Sequence, residues 1–162
     1  MDESGRRFEP YFKPDWNPAL LMAQNYVSHL GVYRTSLVHA AGGFREGVEG
    51  AQDWDLLLRC AERVDPSRIR HVPRILYHWR AVQGSTARSM ASKDYAAGAQ
   101  ERVVAAAFAR RGVEVRIRRT LRDTFLEFDP VVVPPPRVSL VLLGRSQACA
   151  DAWRALLDGA LA

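Results

Sequence analysis

Four of the nine prolines lie in one segment, residues 129–136, near the carboxyl end of the 162-residue chain. Proline lacks a backbone N–H and has a fixed φ, so this segment is typical of a semi-rigid linker rather than a helix or a central strand. The continuous apolar run at 137–143 favours a fully buried strand of a parallel sheet, and residues 149–157 favour a helix. Such a β-α unit has no sheet of its own to join, so we interpret it as the first unit of a further domain.

The composition is that of a globular chain, with 48% hydrophobic and 25% charged residues. Its apolar stretches are shorter than the roughly 18 residues that a membrane-spanning helix needs. The opening Met1-Asp2-Glu3-Ser4 is acidic and lacks the basic and apolar regions of a secretory signal peptide. We therefore expect a cytoplasmic chain, at most peripherally associated with the inner face of the membrane.

The positive charge of the chain is concentrated in residues 110–122, here called the basic segment. It holds six arginines and one glutamate, so its net charge of +5 equals that of the whole chain. A basic stripe is typical of proteins that bind acidic partners, but no helix-turn-helix, zinc-finger spacing or interleaved aromatics accompany it, and nucleic acid is not expected. Two interpretations stay open: a solvated face, or a surface that docks on an acidic partner.

Short helices and extended segments alternate along the rest of the chain. Helices are predicted at 19–25, 37–41, 52–64 and 93–111. Alternation of apolar and polar residues predicts a strand at 29–34 and a hairpin within 113–128. Residues 69–80 are expected to be extended, with Pro73 dividing them into two pieces. The predicted fold class is therefore α/β.

Four sequence blocks occur in a fixed order: PYFKPDWNPALLMAQNY (10–26), HLGVYR with GGFRE (29–46), GAQDWDLLLR (50–59) and HVPRILYHWR with GSTA (71–87). Together they resemble family 2 glycosyltransferases of the GT-A fold. The later run RVSLVLLGRSQA is similar to the first strand of a second GT-A domain. The resemblance implies a partial GT-A domain, the acceptor-side half of a Rossmann-like nucleotide-diphospho-sugar transferase.

The same resemblance implies a domain organisation. Residues 1–87 would be the acceptor and base half of one transferase domain, 88–128 a post-catalytic helix and strand pair, 129–136 a linker, and 137–162 the first β-α unit of a tandem second domain. Family members hold a metal ion with an acidic D-x-D motif in the donor-binding half, which we expect upstream of Met1. A chain without that half is expected to be inactive alone.

The resemblance assigns catalysis to Asp53. An inverting sugar transfer needs a carboxylate that takes the proton from the acceptor hydroxyl, and Asp53 matches the aspartate that ends the acidic motif of the family. Family members often have Glu or Asp before it, where this chain has Gln52. Stabilisation of a helix N-terminus is the alternative role for Asp53 and the favoured role for Asp55, because both lie in the first turn of a predicted helix.

The resemblance also implies a divalent cation, Mn²⁺ or Mg²⁺, in the complete domain, where it would neutralise the departing diphosphate. His78 resembles the last metal ligand of many members, and a structural strand histidine is the alternative. Arg80 lies on the same face of the expected strand, and Ser85 and Thr86 follow in a small-residue loop. These three residues are candidates for binding the donor phosphates.

Candidate contacts for the acceptor are Gly43, Phe44, Gln52 and Trp54. Gly43 and Phe44 belong to a Gly-Gly-Phe turn that resembles the acceptor-side turn of the family. Core packing is the alternative role for Phe44 and for Trp54, which lies in the apolar stripe of a predicted helix.

The resemblance thus predicts an enzyme that transfers a sugar, with inversion, from a nucleotide-sugar donor to a glycan, lipid-linked or protein acceptor. Bacterial polysaccharide and cell-envelope biosynthesis uses such enzymes. The alternative, from a different class, is a non-catalytic interaction module whose basic segment binds acidic partners. A glycosidase with paired carboxylates fits poorly, because no second acid with a motif accompanies Asp53.

Overall fold

A computed structural model of the protein describes residues 1, 4–80, 94–120, 125–131, 134 and 146–160. The chain divides into two compact units, Met1–Val131 and Val132–Ala162. The described residues form five α-helices and one two-stranded sheet, so the prediction of a mixed α/β chain is confirmed at that level. The elements are α1 (Pro18–Ala23), α2 (Thr35–Ala40), α3 (Gln52–Ala61), α4 (Asp94–Arg110), β1 (Val115–Arg119), β2 (Leu126–Pro130) and α5 (Gln147–Ala160).

The start of helix α1 is fixed by its N-cap residue and by a proline at its first position. Asn17 is the N-cap, and its Oδ1 accepts the backbone N–H of Leu20 at 2.9 Å. Pro18 takes the first helical position, where a missing N–H costs nothing. The six-residue helix buries Leu21 and Met22.

Helix α3 is the centre of the first unit. It buries the side chains of seven consecutive residues, Trp54, Asp55, Leu56, Leu57, Leu58, Arg59 and Cys60. The helix ends at Ala61, before the predicted end at 64, because Arg63 N–H bonds the carbonyl of Cys60 in a tighter turn. Asp65 then adopts the extended conformation that a following proline favours.

Helix α4 and the hairpin complete the larger core. Helix α4 contacts α3 and β1, and it buries Ala99, Val103, Val104, Ala107 and Phe108. Strands β1 and β2 pair antiparallel with Ile117 opposite Phe128, as the predicted hairpin requires. The ring of Phe128 lies 4.8 Å from the ring of Phe108, so the sheet is joined to the helix by aromatic packing.

The strand predicted at 29–34 is wrong. No residue of this segment or of 69–80 pairs in a ladder with any other described residue. A strand is stable only when a neighbour takes up its backbone N–H and C=O groups, and the described residues supply none here. Apolar side chains in both segments are exposed, namely Leu30, Val32, Val72, Ile75, Leu76, Tyr77 and Trp79.

The second unit is described at Pro134 and along α5. Helix α5 confirms the predicted helix near the carboxyl end and begins at Gln147. The strand predicted at 137–143 lies outside the described residues, as does the loop that contains Ser85 and Thr86. Among the described helices, none combines the length and the apolar character needed to cross a bilayer.

Candidate functional site

Asp53 lies in the first turn of α3 and is half-buried. The Nδ2 of Asn25 donates a hydrogen bond to its Oδ2 at 3.0 Å. The positive end of the helix dipole favours a carboxylate at this position. The side chain remains partly open to solvent, as a group that takes a proton from a bound molecule must be.

Asn25 is a neighbour of Asp53 that the sequence analysis missed. Its Oδ1 accepts the backbone N–H of Ser28 at 3.3 Å, while its Nδ2 faces Asp53. The spacing Asn25-x-x-Ser28 is a local turn signal, because asparagine side chains often bond a backbone N–H a few residues on. The contact between Asn25 and Asp53 joins residues 28 positions apart, and no local sequence pattern predicts such a contact.

Tyr33 is a second missed neighbour of Asp53. Burial raises the pKa of the Tyr33 phenol to about 12, and the negative charges of Cys60 and Asp53 add to that shift. A Cβ on Gly31 would lie 2.8 Å from the phenol oxygen, so a larger residue at position 31 would force the Tyr33 ring to shift. Tyr33 packs against both apolar clusters of the first unit, the larger one and a smaller one of Ala41, Leu56 and Cys60.

Asp55 lies in the first turn of α3, but its partners are arginine side chains rather than the backbone of the helix N-terminus. Its side chain is fully buried, and both Arg45 and Arg59 donate hydrogen bonds to its carboxylate. Burial by itself would raise the pKa of Asp55, but the hydrogen bonds from Arg45 and then Arg59 outweigh burial and hold the pKa below its ordinary value. The two aspartates of the first turn therefore differ: two arginines pair with Asp55, and among the described residues none pairs with Asp53.

Arg59 connects α3 to the Gly-Gly-Phe turn. Its guanidinium donates to the carbonyl of Ala41 and, at 2.6 Å, to the carbonyl of Gly43. Gly43 has a φ of +66°, which a residue with a Cβ adopts only with strain. Phe44 follows with 66% of its surface exposed, so it is not a core residue. The candidate acceptor-side turn is thus held by a buried ion pair, with its aromatic residue open to solvent.

The other two candidate acceptor residues occupy different environments. Gln52 is exposed at the start of α3, and its Oε1 accepts the backbone N–H of Gly50 at 2.7 Å. Trp54 is only 2% exposed, and its indole N–H bonds the carbonyl of Leu21 at 2.8 Å. The expectation that Trp54 contacts the acceptor is corrected to its alternative, core packing, because neither ring face is open to a sugar.

His78 and Arg80 lie on the segment 69–80. His78 is half-buried, and its Nε2 is buried without a hydrogen-bond partner among the described residues. Arg80 is exposed. No group of three His, Cys, Asp or Glu side chains that could hold a metal ion exists in the part of the chain that the structure describes. One imidazole is not a ligand set for Mn²⁺ or Mg²⁺, which prefer several oxygen ligands.

Three arginines of the basic segment pair with neighbouring carboxylates. Arg110 pairs with Glu62, and Arg119 with Glu101, both at 2.6 Å. Arg118 lies 2.8 Å from the carboxylate of Asp129. Among the described residues of the segment, three arginines are therefore in ion pairs within the chain, which favours a solvated, salt-bridged face over a docking surface for acidic partners.

The chain is similar to parts of two much longer proteins. It is 52% identical over 133 residues, 82% of the chain, to the uncharacterized protein y4gI of Sinorhizobium fredii (strain NBRC 101917 / NGR234). It is 34% identical along its whole length to the O-antigen biosynthesis protein RfbC of Myxococcus xanthus. The chain spans 13% and 12% of the lengths of these curated relatives.

No family model matches the chain, and no solved structure matches it. From end to end, then, this chain is similar to one portion of a protein that is named for O-antigen biosynthesis.

Proposed function

We propose that the chain carries the acceptor-side, base-bearing part of a family 2 glycosyltransferase of the GT-A fold. The order and spacing of the four sequence blocks support this proposal, and so does the similarity to RfbC, whose name assigns it to O-antigen biosynthesis. The proposed reaction transfers a sugar from a nucleotide-sugar donor to a glycan, lipid-linked or protein acceptor with inversion, in bacterial polysaccharide biosynthesis.

The environment of Asp53 is the observation that carries the proposal. Asp53 is a half-buried carboxylate at a helix N-terminus, and no arginine or lysine is paired with it among the described residues. In the proposed step the acceptor hydroxyl loses its proton to Asp53 while its oxygen attacks the anomeric carbon. The bond from that carbon to the diphosphate breaks, and the nucleoside diphosphate leaves with the bonding electrons.

The acceptor is proposed to bind at the Gly-Gly-Phe turn and at the start of α3. Phe44 is exposed next to Gly43, whose carbonyl is fixed by Arg59. An exposed ring on a rigid turn suits stacking on the face of a sugar. Gln52, exposed at the start of α3, is the proposed polar contact.

The donor side remains an inference from the family resemblance. Arg80, Ser85 and Thr86 are proposed to bind the donor phosphates, and His78 to give one ligand to a divalent cation in the complete domain. His78 needs carboxylates from outside the described residues to form such a site. The second compact unit is proposed to begin a tandem transferase domain, and the protein to act in the cytoplasm.

The proposal is tested with the longest in-frame polypeptide that contains these residues, here called the parent polypeptide. It is incubated with UDP-glucose, UDP-galactose, GDP-mannose or dTDP-rhamnose and a membrane fraction as the source of acceptors. Release of nucleoside diphosphate that requires the acceptor, with an inverted anomeric configuration in the product, is expected. A product of retained configuration, or no transfer from any nucleotide sugar, would contradict it.

A further inference from the structure

The side chain of Asn25 is fixed between two partners from different parts of the first unit. Its Nδ2 donates to Asp53 Oδ2 at 3.0 Å, and its Oδ1 accepts from Ser28 N–H at 3.3 Å. Both contacts are part-buried. We propose that Asn25 is a positioning residue that holds the Asp53 carboxylate in one orientation. This inference rests on the proposed function, in which Asp53 is the general base.

The contact with Ser28 determines which atom of the Asn25 amide faces Asp53. A backbone N–H needs an acceptor, and of the two amide atoms only the oxygen accepts. Rotating the amide by half a turn would place the NH₂ group against Ser28 N–H and the oxygen against the Asp53 carboxylate, so both contacts would become repulsive. The Ser28 backbone therefore presents the Asn25 NH₂ group to Asp53.

The hydrogen bond to Oδ2 leaves the other carboxylate oxygen available. Among the described residues, Asn25 is the only side chain that donates to Asp53. Oδ1 can therefore receive the acceptor proton while Oδ2 is held.

The sharpest test uses Asn25→Asp and Asn25→Ala in the parent polypeptide. Asn25→Asp is isosteric and keeps the oxygen that accepts from Ser28, but it replaces the donor to Asp53 by a second carboxylate. We expect the acid limb of the pH profile of kcat to move upward by about one unit or more, because two adjacent carboxylates do not both ionise readily. Asn25→Ala should lower kcat about 10- to 100-fold, the equivalent of one hydrogen bond to a charged group.

A matched control separates this effect from a general loss of fold or charge. Asn17→Asp makes the same charge change at the N-cap of α1, where aspartate caps as well as asparagine. It should leave the pH profile of kcat and the KM for the donor unchanged. An unchanged kcat and profile in both Asn25 variants, or an equal shift in Asn17→Asp, would overturn the inference.

A second measurement on the 162-residue chain needs no activity. The side-chain NH₂ protons of Asn25 should change their NMR chemical shift as the Asp53 carboxylate ionises, and this pH dependence should vanish in Asp53→Asn. If it persists in Asp53→Asn, the inference fails even where transfer is observed. If the parent polypeptide transfers no sugar, the proposed function fails, and the NMR result alone decides whether Asn25 orients Asp53.

Discussion

Arg59 donates two hydrogen bonds, at 2.8 and 2.6 Å, to the same carboxylate oxygen of Asp55, one turn earlier on α3. Both side chains are buried, with 0% of Asp55 and 4% of Arg59 exposed. A buried charge is tolerated only when it is paired and hydrogen-bonded. The pair therefore accounts for Asp55 as a structural residue and leaves Asp53 as the aspartate of this helix that can serve a reaction.

Replacing Arg59 by methionine is expected to destabilise the chain by about 3–5 kcal/mol, because it leaves the Asp55 carboxylate buried with one partner fewer. The variant also removes the donor to the carbonyls of Ala41 and Gly43. Urea unfolding of the 162-residue chain measures the change. Arg68→Met, at an exposed position, is the control and should change stability little. Equal stability of the two variants would contradict the account.

The free energy of unfolding should depend on acid pH through Asp55. The pKa of Asp55 lies below its ordinary value of 3.8 in the folded chain. Its ionised form therefore stabilises the fold above about pH 4, and this contribution is lost as the pH falls through the lower, folded value. Urea midpoints measured between about pH 6 and pH 2 should fall less steeply with acid in Arg45→Gln, which removes one partner of Asp55. An identical slope in both proteins would refute this role.

Tyr33 should make the free energy of unfolding depend on alkaline pH, with the opposite sign to the effect of Asp55. Its pKa is raised from 10.0 to about 12, so the protonated phenol stabilises the fold fully below pH 10 and loses that contribution as the pH rises through 12. Absorbance titration of phenolate should show a late step near pH 12 that is missing in Tyr33→Phe. If the variant loses a step near pH 10 instead, the phenol is not shielded from solvent.

Alanine substitutions at two glycines should change stability in opposite directions. Gly43 has a φ of +66° and nothing within 4 Å of an added Cβ, so Gly43→Ala is strained by its backbone alone. A loss of about 1 kcal/mol is expected. Gly98 lies inside α4, where alanine is preferred, and its added Cβ meets only the flexible end of Arg102. Gly98→Ala should gain about 0.5–1 kcal/mol, as measured by urea unfolding.

Local sequence patterns predicted the helices and the hairpin because their hydrogen bonds form between near neighbours. Helix α3 and the β1–β2 pair arise from spacing that a short window contains. The strand predicted at 29–34 depended on a distant pairing partner, which a local pattern does not reveal. The boundary between the two compact units falls at Val131, within the proline-rich segment at residues 129–136.

The candidate site was predictable only in part. Asp53 was identified from a motif, and the structure places it half-buried at a helix N-terminus. Trp54 was misassigned because an apolar stripe at helical spacing does not distinguish an open ring face from a core position. Asn25 was missed because its contact with Asp53 joins residues 28 positions apart.

The most direct test of the central claim compares Asp53→Asn with the wild-type parent polypeptide in the acceptor-dependent transfer assay. The variant keeps the size of the side chain but removes its basicity. We expect kcat to fall by about 10² to 10⁴, the usual contribution of a general base. The far-ultraviolet circular dichroism and the urea midpoint should stay close to those of the wild type. Turnover that is unchanged in Asp53→Asn would show that Asp53 is not the base and would contradict the account.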